Sequence, residues 1–261
     1  MNTFRHEWRL HGRLLRGWLI AILLTLALFL SFYPAFQDGL DDMVAMMEGF
    51  PPEVLRGFGL DIDSFATYSG YLAYIYVFVQ LLLGILSIMS GMILVGREKL
   101  NRSSDFLFSK PVSRRGLWLA KVAVGLLGLL IVNSLITAVV YGVSGVFSIP
   151  TDGAIGSILV SSLLVQLIFF FLGTLIAVLK RRLQTVTSSA TAIGFGFYFL
   201  LIVARLLEDD QFLRLSLYGL FDTAQVQRQG VDPTNLTIGL GLIILLAGIS
   251  YRRYVTQDLE V

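Results

Sequence analysis

The chain has 261 residues, of which 56% are hydrophobic and 15% charged, against roughly 25% charged in soluble domains. One soluble core cannot hide that much apolar surface, so lipid is the expected solvent. A formal net charge of +2 excludes the strongly basic balance of a nucleic-acid binder, and the absence of cysteine excludes disulfides, thiolate metal sites and cysteine nucleophiles.

The amino-terminal arm, residues 1–16, carries Arg5, Arg9, Arg13 and Arg16, with Phe4, Trp8, His11 and Leu15 recurring at helical spacing. That pattern predicts an interfacial helix lying in the membrane plane, anchored by Phe4, Trp8 and Leu15. His6 and His11 are five residues apart and do not share a face as i, i+4 metal ligands would, so both are expected in solvent or among headgroups. The apolar run that follows, 17–36, is too long for a secretory core and lacks a small-residue cleavage site. Its leucines, isoleucines and phenylalanines favour the membrane by about 3–6 kcal/mol on an insertion scale, and it is read as an uncleaved first span.

Five further apolar runs, 71–95, 117–147, 155–179, 186–207 and 236–251, bring the expectation to six spans in a single transmembrane domain, an all-α polytopic membrane protein. The third run carries Lys121 near its start and is expected to tilt or to begin as an interfacial turn; the sixth, at 16 residues, is short. Basic residues set the orientation. Of 20 Lys and Arg, 16 fall on one side, leaving only Arg56, Arg205, Arg214 and Arg228 on the other, which places both termini in the cytoplasm. The two large extracytoplasmic loops, 37–70 and 208–235, are rich in acid. In the first, Pro51-Pro52-Glu53 followed by Val54, Leu55 and Phe58 predicts a short amphipathic helix over the outer mouth.

Enzyme signatures are absent: there is no G-x-x-x-x-G-K-[ST] phosphate loop, no H-E-x-x-H and no G-x-S-x-G, so no catalytic or metal-binding residue is assigned. No ionisable residue is expected at mid-membrane, where a secondary transporter or proton pump would place one. Gln80, Asn133 and Gln166 are the notable polar residues within spans, either bonding a neighbouring helix or lining a translocation path. The aromatic residues Phe169, Phe170, Phe171, Phe195, Phe197, Tyr198 and Phe199 either face lipid or suit a hydrophobic cargo.

The cytoplasmic segment 96–116 mixes charge with apolar residues. Leu100 and Leu107 recur at helical spacing, with Phe106 and Phe108 flanking Leu107, as the apolar side of a short helix that Lys110-Pro111 would end, because the residue before proline avoids helical geometry. Such a face either rests on headgroups or docks a soluble partner. Here Glu98, then Asp105-Phe-Leu-Phe-Ser-Lys-Pro-Val-Ser-Arg114, then Lys121 resembles the acidic residue, the Leu-x-Ser-x-Pro-x-Ser-Arg run and the downstream Lys of ABC-type-two permeases. The segment from Pro52 to Gly59 is similar to that family's outer Pro-x-x-x-x-x-x-Gly element, whereas Asn101-Arg102-Ser103-Ser104 departs from its frequent Gly-Thr.

The resemblance implies an ATP-driven exporter built from two permease copies and two separate ABC-type ATPase subunits. ATP and Mg²⁺ would bind in those partners, with no cofactor on this chain. It assigns ATPase contact to Glu98, Arg102, Asp105, Phe106, Leu107, Phe108, Pro111 and Arg114, and a bracing role to the amino-terminal arm; the apolar, aromatic spans themselves suit a hydrophobic or amphipathic cargo (peptide, lipid or drug) better than a small ion. Two other classes fit parts of the pattern: a lipid-modifying enzyme using Glu98 and Asp105 to hold Mg²⁺, and a non-transporting receptor or scaffold.

The charge alternation yields a direct test. Single cysteines replacing Ser104 and Met46 should differ on intact cells treated with an impermeant thiol reagent, with labelling at position 46 and none at 104; the reverse pattern overturns the topology.

Overall fold

The computed structural model describes residues 3–57, 59, 60, 64, 66–101, 113–180, 183 and 185–256. All regular structure among them is helical. The helices are α1 (Thr3–Ser31), α2 (Tyr33–Asp38), α3 (Leu40–Glu48), α4 (Pro52–Gly57), α5 (Tyr68–Asn101), α6 (Arg114–Val146), α7 (Gly153–Leu179), α8 (Val186–Leu207), α9 (Asp210–Leu215), a single 3₁₀ turn at Gly219–Phe221, α10 (Thr223–Gln229) and α11 (Pro233–Thr256). Six helical segments are long and apolar enough to cross a membrane, and the chain is an all-α polytopic membrane protein.

Burial sorts the six spans. α5 is apolar around most of its circumference and is the most buried span, which is what an all-round hydrophobic pattern predicts for a central helix. It packs along α7, and α1, α6, α8 and α10 also touch it. α1 pairs with α6 on one side, while α11 lies against α7 on the other. α1, α8 and α11 leave most of their surface uncovered, including Leu24, Phe199 and Ile244. Such side chains are at ease in lipid and would not be in water.

The close packing of α5 on α7 depends on glycine. A Cβ at Gly91 would stand 2.2 Å from the Phe170 carbonyl oxygen, and one at Gly173 would stand 2.3 Å from that of Ile88. Since hydrophobicity does not drive one helix onto another inside lipid, small residues that let two backbones approach supply the contact instead.

At one end of the bundle, tyrosines tie the helices together. Tyr68 donates its hydroxyl to the Val140 carbonyl of α6 at 2.9 Å, and Tyr71 donates to that of Phe29 on α1 at 2.8 Å. The Tyr33 ring lies 5.1 Å from Tyr68 and 5.2 Å from Tyr71. The connections at this end also meet: Ser69 donates to the Asp152 carboxylate at 2.6 Å and receives a hydrogen bond from Gln227 at 3.3 Å. The segments assigned from charge to one side of the membrane are therefore neighbours in space.

Three boundaries differ from the sequence expectation. The arm and the first span are one unbroken helix, α1, with no turn at Arg16 or Gly17 to lay residues 3–16 in the membrane plane. At 1.5 Å per residue its 29 residues extend about 43 Å. The sixth span is not short: α11 begins at Pro233, suited to a first turn, and continues through Arg252 and Arg253, giving 24 residues. The outer amphipathic helix forms as α4 but stops at Gly57, and its expected anchor Phe58 lies outside the described residues.

The α5–α7 contact predicts a sharp contrast. Gly91→Ala or Gly173→Ala should cost about 1–3 kcal/mol through overpacking against backbone, seen as a lower thermal unfolding midpoint in detergent. Gly142→Ala, where nothing lies within 4 Å, should leave that midpoint unchanged or slightly higher.

Candidate functional site

The segment 102–112 connects α5 to α6, and the residues that frame it are held by charge. Glu7 of α1 sits between Arg97, near the end of α5, and Lys121, on the second turn of α6. Its Oε2 is 3.0 Å from the Arg97 Nη1 and its Oε1 is 3.6 Å from the Lys121 Nζ. The three side chains are 6%, 12% and 0% exposed respectively. Lys121 also donates a short hydrogen bond to the Leu94 carbonyl oxygen of α5. Lys99 donates 2.9 Å hydrogen bonds to the carbonyls of Ala177, Val178 and Lys180, occupying acceptors left open where α7 ends. The ends of four helices thus meet where the segment leaves and returns.

The arm reaches this cluster because one face of α1 continues without interruption. Glu7, His11, Leu15, Ile22, Leu26 and Leu30 are all buried, a stripe that fits helical periodicity across Gly17. His11, expected in solvent or headgroups, is instead 1% exposed, and its ring nitrogens have no hydrogen-bond partner among the described residues. It lies near Gly128 of α6, where an added Cβ would come within 2.8 Å of Leu15 and 3.7 Å of the His11 ring. Leu15 is buried in this contact, and Phe4 and Trp8 pack partly buried against the cluster around Trp118 and Val122. His6 is exposed.

The expected ATPase-contact residues are reached only at their margins. Arg102, Asp105, Phe106, Leu107, Phe108 and Pro111 lie outside the described residues, as does the side chain of Glu98. Arg114 opens α6, half-buried, behind Ser113, whose hydroxyl accepts a hydrogen bond from the Gly116 amide at 3.2 Å.

Of the polar residues inside spans, two are brought together. Asn133 of α6 donates to the Gln166 Oε1 at 2.9 Å, and Gln166 of α7 donates back to the Asn133 Oδ1 at 3.0 Å and to the Ser162 hydroxyl at 3.2 Å. This reciprocal amide pair clips α6 to α7. Gln80 of α5 is buried apart from it, with its Nε2 unpartnered among the described residues.

Neither Glu7 nor Arg97 was singled out from sequence as a site residue. The available signal was Lys121: a lysine inside an apolar helix requires a counter-charge, and Glu7 is the one acid in the arm.

Six apolar spans, with charge-locked helix ends on one side, make this a polytopic membrane protein. The chain belongs to the ABC-2 family transporter proteins, whose family model matches residues 1–259. Members of that family are transmembrane permeases that associate with an ABC ATPase and are not themselves the ATPase. Among curated proteins, none matches this chain.

The ion cluster can be tested by subtraction. Glu7→Gln leaves Lys121 buried without its carboxylate and should destabilise the fold by about 3–5 kcal/mol, read as thermal unfolding in detergent. Adding Lys121→Met to Glu7→Gln should recover much of that loss, because the buried ammonium that Glu7 balanced is then gone.

Proposed function

We propose that this chain is the membrane-spanning permease subunit of an ATP-driven exporter in the cell membrane, with both termini cytoplasmic. The segment 96–116 serves as its coupling element to a separate ATPase. The observation that carries this is the Glu7–Arg97–Lys121 cluster. A segment meant to deliver force must be fixed at both ends to the parts it moves, and here the ends of α1, α5, α6 and α7 are cross-linked at its base. Desolvated charge pairs suit the task, because breaking one leaves a buried unpaired charge and the helices therefore move together.

In the assembly we favour, two copies of this chain form the pathway and two ATPase subunits bind beneath it, holding ATP and Mg²⁺. ATP binding closes the ATPase pair, displaces the docked segments and tips the spans between inward- and outward-open states. Phe106, Leu107 and Phe108 supply apolar anchors, with Glu98, Arg102, Asp105, Pro111 and Arg114 orienting them, since a few desolvated side chains carry most of the affinity of a small interface. The cargo is hydrophobic or amphipathic, in keeping with spans that present apolar side chains and no buried charge beside the Asn133–Gln166 pair among the described residues.

The lipid-modifying alternative, built on Glu98 and Asp105, gains no further ligand from Glu7, which is committed to Arg97 and Lys121.

Replacing Phe106 and Phe108 with Ala should cost about 2 kcal/mol or more of binding if either is a hot spot. ATPase association should then fall at least tenfold while membrane insertion is unchanged. Complexes purified into nanodiscs measure this, and unaltered substrate-stimulated ATP turnover in the double variant would sink the assignment.

A further inference from the structure

A cavity of about 560 Å³ opens at the end of the bundle opposite the ion cluster. Its walls come from three chain segments distant in sequence: Pro52, Leu55 and Leu60 around α4, Ala204 and Arg205 at the end of α8, and Glu208, Asp209, Leu213, Asp222 and Arg228 of the second large connection. The size matches pockets that enclose small organic ligands. Leu55, Leu60, Ala204 and Leu213 give it an apolar lining, and Arg205, Glu208, Asp209, Asp222 and Arg228 add charged groups.

The charged wall is built around Arg205. Its side chain is 6% exposed and is held by Asp222, itself 5% exposed, through a two-pronged contact in which Nε donates at 3.2 Å and Nη2 donates to the other carboxylate oxygen. The Asp222 Oδ1 also accepts from the Ala224 amide at 3.2 Å, starting α10. Two of the three guanidinium nitrogens are thereby engaged. Nη1 is buried with no hydrogen-bond partner among the described residues. It lies against Gly59, whose φ of +70° suits glycine and where an added Cβ would be 2.6 Å from Nη1. Glu208 ends α8 in a left-handed turn with φ of 52°, and both it and Asp209 are exposed at the cavity rim.

Net charge at this end of the molecule adds a second, independent observation. Among the described residues, segments 37–70, 147–152 and 208–235, with Arg205, contain 11 Asp and Glu against 4 Arg, a net charge of −7. The opposite end carries the compensating excess of Lys and Arg. A concentration of one sign around a low-dielectric cleft attracts ligands of the other sign and raises their local concentration.

We infer that this cavity binds a cationic amphipath: an amine head at the Glu208–Asp209 rim, an apolar chain along Leu55, Leu60 and Leu213, and a hydrogen-bond acceptor of the ligand on the Arg205 Nη1. Asp222 neutralises Arg205, so the guanidinium serves as a directional donor rather than as a net positive charge that would repel an amine. An anionic amphipath meets the acidic rim and the excess negative charge and is disfavoured. On the permease function proposed above, the ligand is cargo at the exit of the pathway; binding itself needs neither the ATPase nor the coupling segment.

The test is equilibrium binding to the full-length chain in nanodiscs of zwitterionic lipid, corrected for empty nanodiscs, with two fluorescent probes of equal chain length. These are 11-(dansylamino)undecylamine and 11-(dansylamino)undecanoic acid. The amine should bind at least tenfold more tightly than the acid, and its affinity should fall as ionic strength rises. Glu208→Gln with Asp209→Asn, both exposed and outside the packed core, should weaken the amine at least fivefold; Leu60→Trp, which fills the cavity, should abolish specific binding of both probes. Equal binding of amine and acid, or wild-type amine affinity in the rim variant, overturns the assignment. Loss of the cavity site with ATPase coupling intact would reject this inference alone, whereas loss of coupling with amine binding intact would reject only the exporter mechanism.

Discussion

A buried lysine is the constraint from which the basic end of this molecule follows. Lys121 is completely enclosed on α6, and an ammonium group taken out of water costs several kcal/mol unless a counter-charge and acceptors surround it. Glu7 supplies the charge and the Leu94 carbonyl an acceptor, so α1, α5 and α6 must converge at one level. Arg97 joins the same carboxylate, and Lys99, half a turn on, secures α5 to the end of α7. The arm brings Glu7 to this position as a direct continuation of the first span. A continuous α1, with a buried stripe running from Glu7 to Leu30, satisfies both the ion pair and the apolar packing below it.

Much of the fold was legible because lipid imposes a simple rule: a segment crossing hydrocarbon must satisfy its own backbone hydrogen bonds and be apolar for about 20 residues. Hence the six spans and their alternation emerge from apolar runs and basic residues, and the segments grouped by charge are found together, as Ser69, Asp152 and Gln227 show. What misled was the treatment of charge as a boundary. Arg13 and Arg16 suggested that the arm ended before the span, yet both are exposed, off its buried stripe, and do not interrupt it. Likewise Arg252 and Arg253 read as the end of the sixth span but lie within α11, where long basic side chains can carry their charge to the interface. The Asn133–Gln166 pairing needed a register between α6 and α7 that periodicity alone does not supply.

Polarity in the bundle is divided by depth. Ionic contacts occupy the two ends, Glu7 with Arg97 and Lys121 at one and Arg205 with Asp222 at the other, while the inter-span polar contact between α6 and α7 is a neutral amide pair. That division follows from cost. A reciprocal amide pair leaves little unsatisfied in hydrocarbon, whereas an ion pair is easier to hold near an interface where water and headgroups share the field.

The central helix connects the two charged ends. α5 runs 34 residues from Tyr68 to Asn101, about 51 Å at 1.5 Å per residue, carrying Ser69 at one end and Arg97 and Lys99 at the other. Its contact with α7 is backbone against backbone at Gly91 and Gly173, so there is little side-chain slack in which a displacement could be lost. On the proposed coupling, a push delivered at the base of α5 and α6 moves α5 with α7 as one body, while α8, which packs on α5 but buries far less of its surface, is freer to lag. Arg205 stands at the far end of α8, paired across the cavity wall with Asp222 at the start of α10, and α10 packs on both α5 and α7. A relative shift of α8 against the α5–α7 pair therefore strains the Arg205–Asp222 contact, and the cavity beside it changes shape with that movement.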